Sequence, residues 1–231
     1  MTNDPEHNLA EDYRAKDASY FSNARVDYIG LLPADPEASI LELGCGNGAT
    51  GALALAEGKC GRYVGIELFE PMARQARDVL TEVHVGDVEK MSLPYAPGTF
   101  DALILSEVME HLVDPYTTLA KLTDLLKPGA LVFASSPNIG HWRNVVGLAL
   151  GRFEYTDVGM MDRTHLRWYT PDSFARMFED AGVTVERLAP FNSRSWKQRL
   201  FAKVFKPMAS MTYFQINLHG RYASVPPAAS R

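Results

Sequence analysis

Apolar residues along this chain recur in short blocks whose period switches between that of a buried strand and that of an amphipathic helix. Over residues 9–32, Tyr20, Phe21, Ala24, Tyr28 and Leu31 recur at helical spacing, and Pro33, Asp35 and Pro36 break the pattern. Ser39–Leu43 reads as a short strand, and residues 50–57 as a helix. Further strands are predicted at 62–68, 82–85 and 100–105, with a helix over 72–80 opened by Pro71. A helix over 116–126 is predicted to stop at Lys127-Pro128-Gly129, before a fifth strand at 130–135.

These strands are apolar on both faces and alternate with helices, which predicts an α/β fold: a mostly parallel, Rossmann-like sheet covered on both sides. The alternation lapses after Pro137, where residues 138–169 form an insertion rich in Trp, Arg, Gly and Met. A helix over 171–181 and a strand over 183–188 follow. Residues 191–222 read as a helix and a last strand at 213–218, and residues 223–231 as a loose end.

Length and composition narrow the picture. With 231 residues, one domain over 1–222 is expected, comprising an N-terminal helical segment at 1–36 and the insertion at 138–170. A formal net charge of -5 argues against a general nucleic-acid binder. Cys45 and Cys60 are too few for a disulfide framework and fit no zinc spacing. Residues 1–13 are polar, without the apolar core of a signal peptide, and the apolar runs stop short of a membrane span, so a cytoplasmic protein is expected.

The chemistry centres on Glu42-Leu43-Gly44-Cys45-Gly46-Asn47-Gly48, between the first strand and the first helix. Closely spaced glycines let the backbone turn sharply and approach a ligand. Gly46, Gly48 and Gly51 also satisfy the dinucleotide fingerprint, so an NAD-dependent dehydrogenase is one alternative. Glu67 ends the second strand, where an acid accepts hydrogen bonds from ribose hydroxyls in either case. Asp87 and Val88 follow the third strand, where a carboxylate beside an apolar side chain suits an adenine ring. Glu42 at the strand end, with Ser106 and Glu107 closing the fourth strand, suits a cationic cofactor and would repel a pyrophosphate.

The runs ILELGCGNG, YVGIEL, VGDVEKMSLPYAPGTFDALILSEVMEHLVDP and LLKPGALVFASSPN, covering residues 39–137 in order, resemble the class I S-adenosylmethionine-dependent methyltransferases. The resemblance implies a seven-stranded sheet with the last strand inserted antiparallel. It also implies cofactor contacts at Glu42, Gly44, Cys45, Gly46, Gly48, Glu67, Asp87 and Val88, with Ser106 or Glu107 near the methionine end. A second segment, from Pro137-Asn138 through Gly151-Arg152-Phe153 to Thr164-His165-Leu166-Arg167, resembles a subgroup associated with sugars and surface polysaccharides.

Acceptor-side candidates lie past the fourth and fifth strands, because ligands of open parallel sheets bind outside the strand carboxyl ends. His165 with Asp162 as orienter forms a candidate base pair for O-methylation of a sugar, glycan or small-molecule hydroxyl. Arg163 and Arg167 suit an anionic acceptor group, Trp142, Trp168 and Tyr169 offer flat faces, and His111 follows the fourth strand. Asp162 and His165 lack a third ligand at convincing spacing, so no metal is expected. Basic residues from Arg194 to Lys206 interleave with Trp196, Leu200, Phe201, Val204 and Phe205. Such a helix can lie on the inner face of a membrane, or pack on its own domain or on a second copy in a homodimer. A non-catalytic, cofactor-binding regulatory partner is a further alternative for the whole chain.

Overall fold

The computed structural model describes residues 24–190, 203–204 and 206–223. The predicted helix over 9–32 lies mostly outside the described residues, as do most of the basic segment at 194–206 and nearly all of the loose end. Seven strands form one sheet in the order β3-β2-β1-β4-β5-β7-β6. Six run parallel and β7 runs antiparallel, which is the Rossmann-like methyltransferase arrangement. The chain divides into two compact units, Met1–Leu93 and Pro94–Arg231.

In the first unit, a short helix α1 (Val26–Ile29) precedes β1 (Ser39–Leu43), α2 (Ala49–Ala56), β2 (Arg62–Glu67), α3 (Glu70–Ala76) and β3 (Glu82–Val85). β2 pairs in parallel with β1 and with β3. Ile40, Leu41, Tyr63, Val64 and Ile66 are almost fully buried, which is why β1 and β2 read as continuous apolar runs. Each such side chain contributes roughly 1.5–3 kcal/mol by leaving water. Gly51 lets α2 sit against β2: a Cβ there would stand 2.4 Å from Leu80 and 2.5 Å from the Tyr63 ring.

The second unit holds β4 (Phe100–Ser106), α4 (Pro115–Thr123), β5 (Leu126–Pro137), α5 (Trp142–Ala149), α6 (Pro171–Asp180), β6 (Val183–Pro190) and β7 (Gln215–Tyr222). β7 lies between β5 and β6, antiparallel to both, and starts two residues later than predicted. β5 starts four residues earlier than predicted, because Lys127-Pro128-Gly129 bulges out of the strand instead of ending the structure before it. Phe100 pairs with Leu126 and Ala102 with Leu131, and the exposed extra residues turn through Gly129 at φ +86°. The insertion contains α5, a helix without a buried residue that the sequence pattern did not reveal. α6 is set by a Thr170–Ser173 capping box and Pro171 in its first turn, and it buries Phe174, Met177 and Phe178. Among the described residues, no helix is long and apolar enough to cross a membrane.

Candidate functional site

In the first unit the glycine loop takes backbone conformations that other residues rarely adopt. Gly44, Gly46 and Gly48 have φ of +74°, +55° and +84°. The Gly44 and Cys45 N–H groups both donate to the Ile66 carbonyl, at 2.8 and 3.2 Å, tying the loop to the end of β2. Gly46 N–H donates to Glu67 Oε2 at 2.9 Å, and Phe69 N–H donates to Oε1 at 2.8 Å. The Glu67 carboxylate is therefore fixed in orientation, while each oxygen keeps a second lone pair for a ligand hydroxyl. Burial raises its pKa, and the backbone donors oppose that rise.

Glu42 is buried at the end of β1 and accepts a 2.8 Å hydrogen bond from the Tyr63 hydroxyl. Burial pushes its pKa from the ordinary 4.5 to about 7, despite the Tyr63 donor and the field of Arg25. Arg25 is itself held by Asp27 at 2.8 Å and lies 3.6 Å over the Tyr28 ring. The contacts of Tyr63 and Arg25 around Glu42 were not legible in the sequence: Arg25 sits outside the motifs, and Tyr63, which opens the run YVGIEL, meets Glu42 across paired strands.

Cys45 turns its side chain into the core. A Cβ on Gly65 would stand 2.5 Å from the Cys45 sulfur, so the glycine in β2 makes room for the thiol. Burial raises the thiol pKa. Only the backbone of Cys45 is thus available to a ligand. Asp87 Oδ1 accepts from the Glu89 N–H at 2.9 Å and its other oxygen pairs with Lys90 at 3.2 Å, while Val88 is buried beside it.

In the second unit β4 runs out into Glu107, whose φ of +50° is the one positive value among the described residues other than glycine. Such backbone is costly for a non-glycine residue and persists where the surroundings hold it. Glu107 N–H donates to the Ser135 carbonyl at 3.1 Å, and the Ser106 and Ser135 hydroxyls lie 3.4 Å apart. A single 3-10 turn, Met109–His111, follows.

This turn is stitched to the far end of the insertion. The Leu166 and Arg167 N–H groups donate to the Glu110 carbonyl at 2.8 and 3.0 Å, and the Tyr169 hydroxyl reaches the Met109 carbonyl at 3.3 Å. His111 Nδ1 lies 3.1 Å from the Thr164 carbonyl. The His111 and His165 rings meet edge to face, with centroids 4.8 Å apart. Glu110, His111, Asp162 and His165 are all buried.

Two expectations take a different form here. The oriented contact on His165 Nδ1 is the Met160 carbonyl at 3.2 Å, while Asp162 Oδ1 accepts the N–H and hydroxyl of Thr164 at 3.0 and 2.8 Å. Asp162 spends that oxygen shaping a local turn, as short acidic side chains do two residues ahead of themselves. His165 also has other potential ligands near it than Asp162. Glu110, His111 and His165 each place one ligand atom within 4.8 Å of the others. Glu110 was passed over in the sequence, although it stands in the same run as Glu107 and His111.

The other acceptor-side candidates scatter. The Arg167 guanidinium binds the carbonyls of Val113 and Leu166, so it anchors the loop. Arg163 pairs with Asp157 at 3.3 Å on the exposed side. Tyr169 is buried and packs on Phe174, whereas Trp142 stands half exposed at the start of α5. Trp168 joins Phe153 and Tyr155 in an aromatic cluster with centroids 5.5–6.3 Å apart.

Comparison with known proteins supplies the family. The ubiquinone biosynthesis O-methyltransferase of Thiobacillus denitrificans is 36% identical over 159 residues, covering 64% of this chain and 66% of that protein. The protein of the same name from Xanthomonas campestris is 34% identical over 121 residues, covering 49% of each chain. This chain spans about half the length of the first curated relatives it matches. An S-adenosylmethionine-dependent methyltransferase from Mesorhizobium loti superposes with a TM-score of 0.60 at 17% identity, covering 86% of this chain and 98% of that one, which shows a common fold. The family described as "Methyltransferase domain" matches residues 13–188, the greater part of the chain with both candidate sites inside it, and the chain therefore belongs to that family.

Proposed function

We propose that this protein is an enzyme that transfers the methyl group of S-adenosylmethionine to a hydroxyl oxygen of a small-molecule acceptor. S-adenosylmethionine is the cofactor, seated by the Gly44–Gly48 backbone. Glu67 receives the ribose hydroxyls, Asp87 and Val88 the adenine, and Glu42 faces the cationic end. The observation that carries the reading is the loop itself: three left-handed glycines fastened to the β2 carboxylate, in a chain that aligns with O-methyltransferases.

The reaction attaches the acceptor oxygen to the methyl carbon as the carbon–sulfur bond breaks, releasing S-adenosylhomocysteine and one proton. The sulfonium is already a good leaving group, so positioning and removal of that proton are the protein's tasks. His165 is suited to the second. A carbonyl only accepts, so its Nδ1 carries the hydrogen toward Met160, and in the neutral ring Nε2 carries the lone pair. The aromatic faces of Phe153, Tyr155 and Trp168 suit either a phenolic ring or a sugar.

The test is methyl transfer from labelled S-adenosylmethionine to two acceptor panels, catechols and phenols in one, free and lipid-linked sugars in the other. Product in either panel, lost in Glu67→Ala, supports the assignment, and the panel that responds identifies the acceptor class. Binding of S-adenosylmethionine without turnover in either panel would favour a regulatory cofactor-binding protein. Binding of NAD in its place would overturn the cofactor.

A further inference from the structure

We propose that Glu110, His111 and His165 form a binding site for one divalent transition-metal ion of the manganese-to-zinc series. The ligand atoms already converge, with one from each residue inside a 4.8 Å span. Metal–ligand bonds of about 2.0–2.2 Å would draw them to roughly 3–3.5 Å of one another. That contraction needs small side-chain adjustments and no change of fold.

The surroundings of the two histidines are those that metal-binding imidazoles require. A ligating histidine donates its other ring N–H to a carbonyl or carboxylate, which fixes ring orientation and leaves the second nitrogen as donor to the ion. His111 Nδ1 lies 3.1 Å from the Thr164 carbonyl and His165 Nδ1 lies 3.2 Å from the Met160 carbonyl. Both rings therefore present Nε2 lone pairs, and the edge-to-face contact at 4.8 Å brings them to one place. Two independent segments of chain, each with its own backbone acceptor, arrive at the same arrangement.

Glu110 supplies the third donor and the charge argument. It is 1% exposed; Oε2 accepts from the Ser136 hydroxyl at 3.1 Å, and Oε1 is buried without a hydrogen-bond partner. An unsatisfied buried carboxylate oxygen is costly. Burial raises its pKa well above the usual range, and Glu107 and Asp162 push in the same direction. A bound dication reverses this field, because the ion is the largest local charge and favours the ionised form.

Two imidazoles and one carboxylate select zinc, manganese, iron(II) or cobalt over magnesium and calcium, which prefer oxygen ligands throughout. Three protein ligands leave open positions for water or a substrate oxygen. The ion's role rests on the methyl-transfer reading above: a metal-bound acceptor hydroxyl loses its proton near neutral pH, so His165 would serve as ligand in place of base. The site itself does not depend on that reading.

The experiment uses the full chain, stripped with a chelator, and titrates Co2+ by visible absorption and Mn2+ by electron paramagnetic resonance, with folding followed by circular dichroism. One ion per chain is expected, with d–d bands characteristic of mixed nitrogen and oxygen ligation. Glu110→Gln keeps the shape and an acceptor for Ser136 and should weaken binding at least 10-fold, as should His165→Gln. A folded, stripped protein that takes up neither ion at millimolar concentration overturns the proposal. Binding that survives both substitutions overturns it as well, since the ion would then sit elsewhere. If the ion binds as expected and no methyl transfer is found, the metal site stands and the functional reading falls. If transfer proceeds undiminished in the stripped protein that binds no ion, the reverse holds.

Discussion

Glu42 offers the sharpest test of the cofactor site, because its protonation and the binding of a cation oppose each other. In the empty protein its carboxyl ionises at about 7. A cofactor carrying a sulfonium and an ammonium that returns the group to its ordinary 4.5 must expel the proton. Below pH 7 that expulsion competes with binding. Linkage over this interval makes S-adenosylmethionine bind about 20-fold more weakly at pH 5.5 than at pH 7.5, or about 1.8 kcal/mol. The assay is isothermal titration at several pH values in two buffers of different ionisation enthalpy, which also reads close to one proton released near pH 6. Glu42→Gln should bind more weakly at pH 7.5 and lose most of the pH dependence, with the residual slope belonging to Glu67 and the cofactor's own amine. Tyr63→Phe removes the donor that favours ionisation and should move the midpoint upward. The same shift bears on stability. Because the folded pKa lies above the unfolded one, the folded chain holds a proton that the unfolded chain releases between pH 4.5 and 7. This group's contribution therefore falls across that window, by at most about 3 kcal/mol, and Glu42→Gln should flatten the decline. A wild-type affinity unchanged from pH 5.5 to 7.5, or a Glu42→Gln protein with the wild-type slope, would refute the reasoning.

Further consequences can be checked by stability measurements. Gly65→Ala pushes a methyl to 2.5 Å from the Cys45 sulfur and should cost about 1–3 kcal/mol in denaturant unfolding, partly recovered by adding Cys45→Ala; strict additivity of the two would sink the packing argument. Thr170→Ala removes the cap of α6 and should cost about 1 kcal/mol, with a loss below a few tenths counting against the cap. Burial pushes the Cys60 thiol to about 11 and raises Cys45 further, so neither should react with a disulfide reagent in the native protein at pH 8 faster than the chain unfolds; a rapid burst would contradict their burial.

The first unit was legible in the sequence to an unusual degree. Gly44, Gly46, Gly48, Glu67 and Asp87 lie on local strand–turn–helix units, where a few neighbouring residues determine the backbone path. The glycine requirement is intrinsic to the chain, since left-handed φ excludes most side chains wherever such a turn occurs. The alternation of apolar blocks likewise determined the α/β class, because burial on both faces leaves the same signature at any position in the sheet.

The second unit was decided in three dimensions. Lys127-Pro128-Gly129 carries a strong stop signal, yet pairing with β4 on either side of it holds the strand together as a bulge. α5 has apolar residues at helical spacing, Trp142, Val145, Val146 and Ala149, but none of them is buried against the described residues. Asp162 and His165 stand three residues apart, and one oxygen of Asp162 also accepts from the nearer Thr164, a local turn contact that the pairing did not foresee. His165 meets Glu110 and His111 from more than fifty residues away, through hydrogen bonds to backbone carbonyls that any residue type could supply. The sequence by itself determined the fold class, the family and the glycine loop, because these rest on local conformation and hydrophobic period. Only the tertiary structure decided the company kept by His165, because long-range backbone hydrogen bonds leave no trace in residue identity.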